Sequence, residues 1–238
     1  EVVVVPAGTD PDNGVAMPTT EHPFTYTGLT PATDYELYVR ADCGGGDYSP
    51  WSKEQEFTTK CAPTTIPYVE NFDSYGASTS TSTTTPGPFP TCWTALNTNT
   101  TPYPYINSNY RSSGVGGLYF YSTTAAYSYA ASQPIDVSQY AAGSLALQFN
   151  IMKTSANYGR LTVGVTTNPN YIDSIVVLKE YYPTDYENIN TWYPQLLVVP
   201  GHYDAPLYIV FYLPEGGTRY AIVDDVLLDV APDCPEAS

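Results

Sequence analysis

The chain has 238 residues with 24 Asp+Glu against 8 Lys+Arg, a formal net charge of -16, and only 13% of its residues are charged. This balance argues against nucleic acid, which needs clustered Lys and Arg for phosphate contacts, and against anionic membrane surfaces. With 24 Tyr, 22 Pro, 17 Gly and 42% hydrophobic residues, the composition predicts an all-β protein with a core, built of short aromatic and β-branched strands joined by turns.

In chain order, Val2-Val3-Val4-Val5 reads as a buried strand and Pro6 to Asn13 as a turn-rich loop. Phe24, Tyr26 and Leu29 mark a second strand, Tyr35, Leu37 and Val39 alternate as a third, and Gln55 to Thr58 make a fourth, with Cys43 to Ser49 as a hairpin connection. The Pro-containing segment 61–66 is a linker of extended backbone. Beyond it come Tyr68 to Asp73, the low-complexity run Ser78 to Thr85 and Phe89 to Trp93. Strand-like runs then recur at Gly117 to Ser122, Ser144 to Met152, Arg160 to Thr166, Ser174 to Glu180, Gln195 to Val199, Leu207 to Leu213 and Tyr220 to Val230. No segment carries a capped helical period, so strands spaced by turns predict a sandwich or jelly roll.

Gly28-Leu29-Thr30-Pro31-Ala32-Thr33-Asp34-Tyr35, Val39-Arg40-Ala41, Tyr48-Ser49-Pro50-Trp51-Ser52 and Phe57-Thr58-Thr59 resemble the second half of a fibronectin type III domain. The resemblance implies that residues 1–60 are the C-terminal part of such a domain and that the chain is cut from a longer polypeptide. Glu70-Asn71-Phe72-Asp73, Pro90-Thr91-Cys92-Trp93, Leu161 to Val165 with Asn168-Pro169, Tyr208 to Phe211 and Ile222 to Val226 resemble the cleaved-adhesin or choice-of-anchor J modules of Bacteroidetes surface proteins, relatives of the MAM domain. That resemblance implies a jelly-roll β-sandwich over 67–231. Residues 232–238 then open the next linker or module, because Cys234-Pro235-Glu236 echoes Cys61-Ala62-Pro63. Together the resemblances imply an extracellular, multi-domain surface or secreted protein whose partners are neighbouring modules, glycans or surface proteins.

Catalytic parts are scarce. His22 and His202 read as loop residues, and no nucleophile elbow, zinc helix or phosphate loop occurs. Asp224 and Asp225 are adjacent on an expected strand and so should point to opposite faces, unable to flank one bond. A non-enzymatic chain is expected.

Calcium is the more physical use of these acids, since it takes six to eight oxygen ligands and ties down sandwich ends. The candidates are Glu70 and Asp73 near the start of the second domain and Asp224 and Asp225 at its end, a placement that the family resemblance also implies. Tyr103, Tyr105 and Tyr110, in a stretch rich in Tyr, Ser, Asn and Gly, are candidate glycan contacts, because rigid aromatic faces grip ligands at low entropic cost. Ordinary sandwich packing is the competing use of these rings. Trp93 and Trp192 are expected in the core and Trp51 over the first sandwich. Asn99-Thr100-Thr101 is an N-glycosylation sequon, and Asp173-Ser174-Ile175 resembles a Bacteroidetes O-glycosylation motif at Ser174. Cys43, Cys61, Cys92 and Cys234 are too far apart for a zinc site, point to an oxidising compartment and leave three pairings open. No apolar run approaches the roughly 20 residues that span a bilayer, and no signal peptide opens the sequence, as expected of a mature or excised piece.

Overall fold

The computed structural model describes residues 1–82, 85–98, 103–153 and 159–232. Cys234 and the Asn99 sequon lie outside the described residues. The chain divides into two compact units, Glu1–Ala62 and Pro63–Ser238. No described helix is long and apolar enough to cross a membrane.

In the first unit, β1 (Val2–Pro6), β2 (Asp34–Val39) and β5 (Gln55–Thr58) form an antiparallel sheet in the order β1-β2-β5, while β3 (Asp42–Gly44) and β4 (Asp47–Tyr48) pair separately. The β-branched run is buried as expected, with Val3, Val4 and Val5 all inside. Tyr35 stacks on Phe57 at 6.0 Å, and its hydroxyl accepts from the Thr30 amide at 3.0 Å, so the ring pins the turn that leads into its own strand. Arg40 lies over the rings of Tyr48 and Trp51, at 4.1 and 4.2 Å, and pairs with Glu1 at 2.7 Å. The strand expected around Phe24, Tyr26 and Leu29 does not form. Pro18, Pro23 and Pro31 bracket that stretch and remove ladder donors, leaving Phe24 and Tyr26 to pack edge-on at 6.4 Å.

The second unit is a sandwich of two antiparallel sheets. Its strands are β6 (Tyr68–Glu70), β7 (Thr94–Asn97), β8 (Tyr105–Asn107), β9 (Gly117–Ser122), β10 (Ser128–Ala131), β11 (Leu145–Lys153), β12 (Leu161–Thr166), β13 (Val176–Tyr181), β14 (Thr191–Val199), β15 (Tyr208–Leu213) and β16 (Arg219–Val230). One sheet runs β13-β12-β15-β10-β7 and the other β14-β11-β16-β9-β8, with β6 added to β16. From β13 onward successive strands alternate between the sheets, the crossing pattern of a jelly roll. The first and last strands of the unit pair directly, with Glu70 opposite Val226. Thr64 is already tied to this unit, its amide bonding the Pro134 carbonyl and its carbonyl the Asp136 amide.

Period-two patterning explains the layers. Leu145, Leu147, Phe149 and Ile151 of β11 face Leu161, Val163 and Val165 of β12 and Ile209, Phe211 and Leu213 of β15 in one core, where Phe211 meets Phe149 at 5.4 Å and Phe120 at 6.4 Å. Trp93 belongs to this core, its indole N–H donating to the Tyr68 hydroxyl at 3.0 Å. The alternate residues of each strand face outward. Short β10, rich in Ser and Ala, gave no apolar alternation to read, yet it is buried at every position.

Candidate functional site

The outward face of the six-stranded sheet carries the tyrosine-rich stretch singled out in the sequence. On β9, Leu118 and Phe120 go to the core, whereas Tyr119 and Tyr121 go outside. Register then aligns a row across five strands. Tyr105 faces Tyr119, Tyr119 faces Ile222, Ile222 faces Met152, and Met152 faces Trp192. Beside it, Tyr121 faces Tyr220. The rings touch in a continuous ladder: Tyr103 meets Tyr121 at 5.0 Å, Tyr121 meets Tyr220 at 5.3 Å, and Tyr220 meets Tyr119 at 5.7 Å. Tyr110 stacks on Tyr119 at 5.5 Å with an interplanar angle of 10°. Sandwich-core packing is therefore not what these rings do; they pack on one another, outside.

Of the three expected contacts, Tyr103 and Tyr110 are partly exposed, but Tyr105 is only 3% exposed and its hydroxyl accepts from Asn107 at 2.7 Å. Burial drives the Tyr105 pKa up to about 12 and that of Tyr119 well above the ordinary phenol range, so both rings are neutral hydrogen-bonding groups. Tyr105 lies in the same outer row, packed on Tyr103 and Tyr119 and covered by the chain at Gly87.

The loop between β8 and β9 crosses this face. Arg111 bonds back to the Ser108 carbonyl at 3.0 Å, and the Trp192 indole N–H donates to the Arg111 carbonyl at 2.8 Å. Between loop and sheet opens a pocket of about 520 Å³ lined by Ser108, Asn109, Tyr110, Arg111, Met152, Asn190 and Trp192. Trp192, expected in the core, lies on the outer face instead. Pro194 suggests a strand start no earlier than residue 195, but β14 is an edge strand, where a missing N–H costs no ladder bond. Extending the strand back to Thr191 puts Tyr193, Leu197 and Val199 inside and Trp192 outside, a signal the sequence did contain.

The crossing loop is held by the acidic residues. Asp224 is fully buried; its Oδ2 accepts from the amides of Ser112 at 2.7 Å and Ser113 at 3.2 Å, and its Oδ1 from the Asp225 amide at 2.8 Å. Asp225 accepts from the Ser113 hydroxyl at 2.5 Å and from the Asn150 side chain at 3.0 Å. Thus both neighbours reach the same loop, contrary to the opposite-face argument. The cause is a β-bulge: Gln148 pairs with Leu227 and Asn150 with Asp224, so Asp225 and Val226 together oppose Phe149, and Asp225 takes φ +53°. Asp73 holds the far end of the loop, its Oδ1 accepting from the Val115 amide at 2.7 Å and its Oδ2 from Asn71 at 2.9 Å. Glu70 is turned elsewhere, to the Phe72 amide at 2.7 Å and the Tyr75 hydroxyl at 2.9 Å.

Burial raises the pKa of Asp224 to about 6, against the lowering pull of the loop amides, and burial also raises Glu70. None of the four carboxylates forms an ion pair among the described residues, so their charge suits a hard cation. Their directions suit it only in part. Asp224 and Asp225 converge, while Glu70 and Asp73 are aimed at their own donors, and among the described residues no three His, Cys, Asp or Glu side chains group closely enough to hold an ion.

The other sequence candidates are elsewhere. Ser174 ends a 3-10 turn at Ile172–Ser174, and its hydroxyl lies 2.6 Å from the Tyr171 carbonyl, 2.9 Å from the Asn168 carbonyl and 2.7 Å from the Thr166 hydroxyl. His202 sits between the Tyr140 carbonyl at 2.8 Å and Asp204 at 3.1 Å, and these two bonds raise its pKa. Cys43 is an exposed free thiol, and Cys61 and Cys92 are disulfide-bonded.

No protein-family model matches the chain. No curated protein matches it either. Among solved structures it is similar to the K2 cleaved adhesin domain of Lys-gingipain, with 12% identity over 68% of this chain and 99% of that one and a TM-score of 0.48. The K1 cleaved adhesin domain of Lys-gingipain from Porphyromonas gingivalis shows 14% identity over 69% of this chain and 98% of that one, with a TM-score of 0.45. A family 11 carbohydrate-binding module from Clostridium thermocellum, solved with a β-1,3-1,4-mixed-linked tetrasaccharide, shows 16% identity over 59% of this chain and 89% of that one, with a TM-score of 0.39. With all three scores below 0.5, these likenesses carry no functional weight.

Proposed function

We propose that the chain is a non-catalytic, adhesive segment of an extracellular multi-domain protein, and that its second unit binds glycan on the outer face of the six-stranded sheet. The observation that carries this reading is the meeting of Tyr110 and Trp192 with Asn109, Asn190, Ser108 and Arg111 around one open pocket. Aromatic faces cover the apolar side of a sugar ring, and amide, hydroxyl and guanidinium groups bond its hydroxyls, at little entropic cost because Tyr110 is already stacked on Tyr119 and Trp192 is bonded to the Arg111 carbonyl. The disulfide-bonded Cys61 and Cys92 favour an oxidising compartment. In the first unit, the sheet order and the Tyr35 bond to the turn before its strand support a fibronectin type III-like half-sandwich. The adhesin or stalk role is the first reading of such a segment, and the accessory substrate- or glycan-binding module of a secreted peptidase or glycoside hydrolase is the alternative.

A glycan array probed with the labelled chain tests the reading. Binding that falls at least tenfold in Trp192→Ala and Tyr110→Ala is expected; an array with no reproducible binder refutes it. Tyr105→Ala is unsuitable because that ring is buried. A structural calcium belongs to the same proposal in a narrower form, held by Asp224 and Asp225, whose converging charges nothing described neutralises. A higher melting temperature in calcium than in chelator is expected, and equal temperatures remove the ion from the proposal.

A further inference from the structure

We infer that the ligand is an extended chain rather than a single terminal sugar, and that it runs from the Trp192 pocket over Tyr110 onto the tyrosine ladder. This rests on the glycan reading above and adds to it a length and a path.

The observation behind it is the position of Tyr110. This ring lines the pocket beside Trp192 and Met152, and it also stacks on Tyr119, which touches Tyr220 at 5.7 Å and Tyr105 at 5.7 Å. Pocket and ladder are therefore one aromatic surface joined at a single residue. Met152 and Ile222, the row members between Trp192 and Tyr119, are 5% and 0% exposed. With those two covered, Tyr110 is the partly exposed ring that links the pocket to the ladder.

Length follows from strand spacing. From Trp192 on β14 to Tyr119 on β9 is three strand steps, roughly 14 Å, and a pyranose unit is about as long as one step, so roughly three to four units fill the track. The ladder beyond Tyr110 is a partly exposed row of Tyr103, Tyr119, Tyr121 and Tyr220. Its rings are fixed by mutual contact, which suits stacking along a chain.

The track is also held in place before any ligand arrives. Ser112, Ser113 and Val115 are bonded to Asp224, Asp225 and Asp73, so the loop that carries Tyr110 and Arg111 is fastened on its far side. Little ordering is left for binding to supply.

The test is titration calorimetry with graded β-1,4-linked gluco-, galacto- and xylo-oligosaccharides of one to six units, on the whole chain. Affinity for at least one series should climb about tenfold or more between two and four units and then level off. Tyr220→Ala, which removes a ladder ring that does not line the pocket, should erase most of that climb while leaving the affinity for the shortest binding member within about twofold; Trp192→Ala should weaken every length. Tyr103→Ala serves as a second ladder variant, and matched melting temperatures confirm that each variant folds. Equal affinity for two- and four-unit ligands, or a climb unaffected by both ladder variants, overturns the extended track and leaves the glycan reading standing. No binding in any series, with none on the array, overturns both.

Discussion

Gly114 lies at the centre of the loop that crosses the site, and replacing it with alanine gives a sharp test of how that loop is held. Its φ is +55°, and a Cβ built there would sit 1.7 Å from Asp73 Oδ1 and 2.1 Å from its Cγ. Asp73 would have to move, and with it the acceptor of the Val115 amide at 2.7 Å. Two costs add. A left-handed non-glycine residue costs about 1–2 kcal/mol, and losing a hydrogen bond to a charged acceptor costs about 1.5–3 kcal/mol. Gly143 supplies the control: its φ is +75°, but nothing lies within 4 Å of the added Cβ, so Gly143→Ala has only the backbone cost. Gly114→Ala should therefore be less stable than Gly143→Ala by about 2 kcal/mol, or roughly 4–8 °C in melting temperature for a unit of this size. Urea denaturation followed by tyrosine and tryptophan fluorescence measures both. A double-mutant cycle isolates the clash: in an Asp73→Ala background, Gly114→Ala should cost no more than Gly143→Ala does. Equal losses for the two glycines, or strict additivity with Asp73→Ala, would refute the claim that the Asp73 carboxylate holds the loop.

Three further expectations follow from burial. Phe211→Ala removes a fully buried ring packed on Phe120 and Phe149 and should cost about 3–5 kcal/mol in urea unfolding; a loss under about 1 kcal/mol would mean that the two sheets do not share this core. Tyr129 is fully buried and its hydroxyl has no hydrogen-bond partner among the described residues, so Tyr129→Phe should be neutral or stabilise by about 1 kcal/mol, and a clear loss would reveal a partner for the hydroxyl. Asp224, at about 6 against an ordinary 3.8, binds its proton more tightly in the fold than in the unfolded chain. Its contribution is therefore present below about pH 4 and is lost as pH rises through about 6, roughly 3 kcal/mol by neutral pH. Measured in chelator, wild type should lose stability between pH 4 and 7 relative to Asp224→Asn; parallel curves would contradict the burial argument.

The sandwich was legible because its long strands alternate. In β11, Leu145, Leu147, Phe149 and Ile151 mark one face without ambiguity, and β9, β12 and β15 do the same. Short strands were not legible. Tyr105-Ile106-Asn107 and Ser128-Tyr129-Ala130-Ala131 are too brief, or too poor in large side chains, for a period to stand out, and their burial comes from the layers on either side. The stretch around Phe24 failed in the other direction, offering aromatic residues with strand propensity but too many prolines to build a ladder. Propensity there was overridden by the missing donors.

The site was half legible: the early start of edge strand β14, which puts Trp192 outside, was hidden by Pro194, and the meeting of the acids was hidden by a bulge. Which residues matter, the tyrosines and the terminal acids, follows from their chemistry, but how the two acids meet depends on a register shift of a single residue. Without the bulge at Asp225 and Val226, Asp225 would point into the core at the level of Phe149, and the Ser113 hydroxyl and Asn150 would have no carboxylate to bind. Strict period-two reasoning predicts that arrangement and so separates two acids that the structure brings to one loop. The bulge sets Asp225 in a left-handed conformation that asparagine and aspartate tolerate better than most residues, so the sequence permits the bulge at this position without announcing it. One inserted residue thereby converts an acidic pair at a strand end into the fastening for the loop that presents Tyr110 to the pocket.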